Sequence, residues 1–227
     1  SALRQLDWIE LSVALEAADV EAAEALCDRL EVPGEWPDER GGAEMAAVAG
    51  AGRGEVALLR GDAEAAVGRY ADVMRAFGDV QGPGTPWAVM LGSAQVVRLV
   101  GLDHLDEARD ALARLGRRAV ALYRDRMSQF LDRPVLGTAC LAAGTFRAAT
   151  GDRAPGVADL FALAEAIGSR QDVPALRRAP LLATAASLLG AGALDEGRAR
   201  VAAMTHDAVT EHALALLDEV AGEGGRG

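Results

Sequence analysis

Five short stretches of the chain carry one pattern: ADVEAAEAL at 18–26, GDAEAAVGRY at 61–70, HLDEARDAL at 104–112, GDRAPGVADL at 151–160 and ALDEGRARV at 193–201. With Glu21, Glu64, Glu107, Ala154 and Glu196 in register, the steps between them are 43, 43, 47 and 42 residues. A unit of that length holds two helices and their turns but too little chain for a core of its own. Each unit must therefore bury its apolar side against its neighbours, the condition that produces a helical solenoid.

Each stretch opens a helix. Asp19, Asp62 and Asp152 are placed to cap the first free N–H groups, and the acidic residue that follows suits the positive end of the helix dipole. Beyond the cap the apolar spacing is helical: Ala63, Ala66, Val67, Tyr70, Val73, Met74 and Phe77 in one case, Val157, Leu160, Phe161, Ala164 and Ile167 in another. One-sided helices need partners, which the sequence supplies near 2–17, 43–60, 86–101, 134–150 and 174–190, each joined to its successor by a turn such as Gly61-Asp62 or Gly151-Asp152. Longer breaks at 31–42, 77–87 and 128–134 separate the hairpins. In the last of them Pro134, with no N–H to donate, suits the first turn of a new helix with Asp132 near its cap. The expected fold is all-α: a right-handed α-α superhelix of five hairpins, a capping helix near 207–221, one domain over 1–221 and a disordered tail over 222–227.

Composition agrees. Of 227 residues 51% are hydrophobic and 4% aromatic, so the core must come from Ala, Leu and Val on closely packed helices. No run reaches the roughly 18 apolar residues of a membrane span, and no basic-then-apolar leader is visible, so no membrane role and a cytoplasmic location are expected. Cys27 and Cys140 lie far apart with no ligand-spaced His or Cys, which reads as two buried thiols. Lys and Asn are absent, the codon footprint of a GC-rich genome. Charge is uneven: residues 1–64 hold 15 acidic against 5 basic side chains, whereas residues 65–134 hold 8 against 10. The net charge of -11 opposes nonspecific attraction to phosphates, so no direct nucleic-acid contact is expected.

Little in the sequence points to catalysis. His206 and His212 are six apart, off the spacing that puts two ligands on one helical face, and no metal site is expected. No nucleophile elbow is visible. A phosphate loop of the Walker type needs a Lys, and GAGRGE at 50–55 has the wrong spacing for a dinucleotide fingerprint; small residues there suit tight helix packing. The acidic residues fall at helix starts, where the dipole accounts for them. We therefore expect no enzyme activity and no cofactor. Two binding features stand out instead. Arg114, Arg117, Arg118, Arg124, Arg126 and Arg133 form a positive band in a negative chain, either a solvated face or a docking strip for an acidic partner segment or for the acidic third of a second copy, which would give a homodimer. Polar and aromatic residues on or near the first helices of the hairpins, namely Trp87, Gln95, Arg98, Tyr123, Thr138, Arg147 and Arg177, are the candidate ligand or partner groove. Trp8 and Trp36 are expected to close the N-terminal end.

FLDRPVLGTACLAAGTF at 130–146, followed by VADLFALAEAIG at 157–168, resembles the C-terminal helical-repeat region of actinobacterial antibiotic-regulatory proteins, the AfsR/SARP-type transcriptional activators. Asp132-Arg133-Pro134-Val135, Gly137-Thr138 and Leu163-Ala164-Glu165 carry the likeness, which is best over 85–170. After 168 that family often continues with Tyr-Asn-Arg, where this chain has GSRQDVPALRRAP. The resemblance implies a TPR-like, non-catalytic interaction or signal-sensing module that binds a protein or peptide, including other domains of the same regulator. The alternative is a free-standing scaffold or oligomerisation protein with no transcriptional role.

Overall fold

The computed structural model describes residues 2–32, 39–78, 85–124 and 133–223. Every regular element among them is helical: α1 (Ala2–Glu16), α2 (Val20–Glu31), α3 (Glu39–Leu59), α4 (Ala63–Ala76), α5 (Pro86–Gly101), α6 (Leu105–Arg124), α7 (Arg133–Ala149), α8 (Pro155–Ile167), a 3-10 turn (Pro174–Leu176), α9 (Arg178–Leu189), α10 (Ala191–Ala202) and α11 (His206–Glu223). The chain is all-α, as expected. It divides into two compact units, Ser1–Asp79 with Asp172–Pro174, and Val80–Gln171 with Ala175–Gly227.

In the first unit α1 packs on α2, α2 on α3 and α3 on α4. The caps are those the sequence places: Asp19 Oδ1 accepts from the Ala22 N–H at 3.0 Å and Asp62 Oδ1 from the Ala65 N–H at 2.9 Å. Gly61 makes the α3–α4 turn at φ +80°, a conformation that favours glycine. Leu11 and Leu15, Leu26, Cys27 and Leu30, Val48 and Val56, and Tyr70 and Val73 form the core. The small residues of GAGRGE allow α3 to sit close to its neighbours. A Cβ at Gly52 would lie 2.8 Å from Cys27 Sγ, and one at Gly54 would lie 3.2 Å from the Tyr70 ring. Burying Tyr70 brings its hydroxyl inside, where it donates to Glu55 at 2.7 Å and satisfies two buried polar groups at once. Outside the core, Arg60 grips Glu24 at 2.6 and 2.8 Å and Arg29 reaches Asp7 and Glu10, pairs each worth about 0–1 kcal/mol at this exposure.

The second unit is built around α5 and α7, which are buried on nearly all sides: Ala88 to Val97 in one, Val135 to Phe146 in the other. Thr85 caps α5 through the Ala88 N–H, and Pro86 and Pro134 each stand in a first turn, where a missing N–H costs nothing. α5 packs on α6 and α7, α7 on α8, and α8 on α10.

Several local expectations change. Helix α3 begins at Glu39 rather than 43 and takes in Gly41 and Gly42, although each costs roughly 1 kcal/mol against Ala in a helix. Asp152 does not cap α8: Pro155 starts that helix, Ala154 is its N-cap, and Asp152 Oδ1 takes the Ala154 N–H at 2.8 Å in the turn before it. The helix expected over 174–190 splits into the 3-10 turn and α9, with the Gln171 side chain accepting the Arg178 N–H between them at 3.1 Å. Gly190 alone, at φ +89°, separates α9 from α10, so Glu196 falls inside α10 instead of at its start. The helix expected over 207–221 runs from His206 to Glu223 and does not extend the stack. It folds back to lie on α6, with its edges on α7 and α8. Gly222 and Glu223 belong to it, and the rest of the expected tail, with Trp36, Arg126 and Asp132, lies outside the described residues.

Candidate functional site

α11 settles where the arginine band points. Its apolar face, Ala213, Leu214, Leu216, Leu217 and Val220, is buried, and Gly116 on α6 permits the approach, since a Cβ there would stand 2.6 Å from the Leu217 carbonyl oxygen. Arginines then reach onto this helix from two sides. Arg117 donates to the Ala221 carbonyl at 3.3 Å and Arg124 to Asp218 at 3.4 Å. Arg133 donates to Thr210 Oγ1 at 2.7 Å and meets His206 Nδ1 at 2.9 Å. Within the band Arg114 is exposed and Arg118 is buried in α6. An acidic contact for the strip is thus present in the chain itself: Asp218 near the C-terminal end of α11.

The seven groove candidates fall into different environments. Trp87 and Arg98 on α5 are half-buried, and Gln95 between them is buried in the core. Tyr123 and Thr138 are also buried, with structural work to do: the Tyr123 hydroxyl accepts the Leu136 N–H at 3.1 Å, while Thr138 Oγ1 donates to the Pro134 carbonyl and accepts the Arg170 N–H, both at 2.8 Å. Those bonds tie the start of α7 to the segment after α8. There Pro86, Trp87, Met90, Val135 and Arg170 line a cavity of about 180 Å3, mostly apolar with one cation. Arg147 lies nine positions beyond Thr138, about 14 Å along α7, and its Nε donates to Asp152 at 2.7 Å with Glu219 at 3.7 Å. Burial alone would raise the Asp152 carboxyl, but the Ala154 N–H and Arg147 outweigh it and hold the pKa below the usual value. Arg177 precedes α9 as its N-cap without a side-chain cap bond. Trp87 and Thr138 therefore share a neighbourhood through Arg170, while Arg147 belongs to the α11 contact.

No protein-family model, curated protein or solved structure matches the chain.

The polar cluster that sequence reasoning missed is Asp159. It sits in α8 between buried neighbours and is 5% exposed. Arg200 Nε from α10 donates to its Oδ1 at 2.8 Å, and His212 Nε2 from α11 lies 3.0 Å from its Oδ2. Arg200 also donates to the Pro155 carbonyl at 3.2 Å. This carboxylate joins three helices. The signal was a lone acid in the apolar run PGVADLFALA, away from any helix start where a dipole would account for it.

Both thiols are buried, as expected. Burial pushes Cys27 up to about 11 and Cys140 up to about 12, which leaves neither as a ready nucleophile. Among the described residues no group of three His, Cys, Asp or Glu side chains could hold a metal ion, and no helix is long and apolar enough to cross a membrane.

Proposed function

We propose that the chain is a TPR-like repeat module, a right-handed superhelix of helical hairpins, that works by binding rather than catalysis. In this reading it is the interaction or signal-sensing part of a SARP/AfsR-like transcriptional regulator of the cytoplasm. Its partner is a protein or peptide, including other domains of that regulator, and DNA is contacted elsewhere. The observation that carries the reading is the pairing order: α1 with α2 and α3 with α4 in one unit, α5 with α6 and α7 with α8 in the other, the two pairs within each unit meeting through α2 on α3 and through α5 on α7, with Glu21, Glu64 and Glu107 each in the first turn of a second helix. The resemblance over 85–170 supplies the regulatory context.

Trp87 and the cavity beside it are the entry point of this reading for a ligand side chain, because an apolar recess with an aromatic wall and one cation suits an anchored apolar group. A ligand acts on attached domains only through a difference in affinity between two arrangements of the repeats. The test is genetic and biochemical together. Trp87→Ala in the native gene should alter transcription of a biosynthetic gene cluster while the protein stays abundant and folded. Were deletion of the whole gene to leave those transcripts unchanged, the regulatory reading would fail. A strong deletion phenotype with a silent Trp87→Ala would instead remove this site and keep the module.

A further inference from the structure

Helix α1 turns Leu11, Ala14 and Leu15 inward and leaves an apolar stripe outside. Leu6, Ile9 and Val13 are 53%, 57% and 61% exposed and stand at i, i+3 and i+7. At 1.5 Å per residue the stripe is about 10 Å long, two helical turns. Single exposed apolar side chains are ordinary, but three large ones in register on one helix form a docking face. The outer face of a helical array is polar where water is its only neighbour, and this one is not.

The rim says what covers it. Going round the helix at 100° per residue, Glu10 flanks the stripe on one side and Glu16 on the other, and both are exposed. Glu10 also meets Arg29, in a pair exposed enough to be shared. Residues 1–64 as a whole carry ten more acidic than basic side chains. A second copy would bring the same carboxylates against these, and an anionic lipid surface or a nucleic acid would be repelled likewise. Of the chain's own arginine band, Arg117, Arg124 and Arg133 already contact α11. We propose that the Leu6, Ile9 and Val13 face of α1 docks a basic amphipathic helix of a partner protein. That helix carries apolar residues at i, i+3 or i+4 and i+7, with Arg or Lys along both edges to meet Glu10 and Glu16.

The probe is a labelled synthetic helix with leucine at that spacing and lysine along both edges, titrated onto the full chain at low salt by fluorescence anisotropy. Saturable binding is expected, with Val13→Glu weakening it at least about tenfold, a loss of the size that a central interface residue gives. Nonspecific attraction to an acidic protein would move the other way, because Val13→Glu adds a negative charge. The double variant Glu10→Gln with Glu16→Gln should weaken binding about threefold or more and flatten its salt dependence. Leu188→Glu, on exposed α9, should leave affinity unchanged. Since Val13, Glu10 and Glu16 all lie on the surface, these variants keep the fold, which far-UV circular dichroism checks. Equal binding of a leucine and glutamate helix, or indifference to Val13→Glu, overturns the proposal. So does a concentration-dependent dimer that Val13→Glu abolishes, because a second copy would then be the occupant.

Discussion

At the scale of single residues, Asp159 carries the sharpest consequence. An ionised carboxylate in a core costs several kcal/mol unless donors replace the water it has lost, and here Arg200 and His212 are those donors, from two other helices. Asp159→Asn keeps the shape but turns an amide NH2 towards groups that were donating. It should cost about 1–3 kcal/mol, the usual penalty for a buried polar group left mismatched. Urea denaturation would show a lower midpoint at unchanged slope, and the loss should be non-additive with His212→Ala because the two share one contact. An unchanged midpoint would mean that the pairing contributes nothing. The sequence did not disclose this contact, because its physical cause is remote: α8 is closed in by α10 and α11 only after both have turned back onto it. Asp19 and Asp62 were legible for the opposite reason. A cap is decided within three residues of chain, so local chemistry is enough to place it.

Among elements, close approach is what the helices trade on, and glycine marks where it happens. A Cβ at Gly197 on α10 would stand 2.8 Å from the backbone carbon and oxygen of Ala158 on α8. Neither atom can swing aside as a flexible side chain would. Gly68 on α4 has nothing within 4 Å of the same position. The two glycines therefore answer oppositely to one substitution. Gly197→Ala should destabilise by about 1–3 kcal/mol through overpacking, while Gly68→Ala should stabilise by up to about 1 kcal/mol through helix propensity. Thermal melts of the pair decide it, and a Gly197→Ala protein that melts higher would show that α8 and α10 are not in such contact. Helix existence and order were readable from period and caps, since both are set by neighbours in sequence. The break near Gly190 was readable too, since the expected helix ends there; the separation of a 3-10 turn at Pro174–Leu176 from α9 was not, because the apolar pattern runs straight through it.

For the molecule as a whole, the course of α11 changes what the charge pattern means. Read along the chain, an acidic first third and a run of arginines invite docking of one copy on another. In the fold, α11 already contacts part of that run: Arg124 holds Asp218, Arg117 the Ala221 carbonyl and Arg133 Thr210, while Glu219 stands 3.7 Å from Arg147 outside it. The amphipathic pattern of 207–221 announced a helix with one buried face, but which surface it would cover depends on Gly116, ninety residues upstream, leaving room for its backbone. An intramolecular partner also has an advantage that a second copy lacks, since its effective concentration is fixed by the short connection after α10 and does not fall on dilution. We therefore expect light scattering of the chain to give the monomer mass at both low and high salt. Exposed pairs such as Arg124 with Asp218 weaken as salt rises, yet the buried Leu214, Leu217 and Val220 hold α11 in place by apolar contact that salt does not screen. A dimer that forms at low salt and disperses at high salt would mean that the band still recruits the acidic third of another molecule, and that α11 does not shield it.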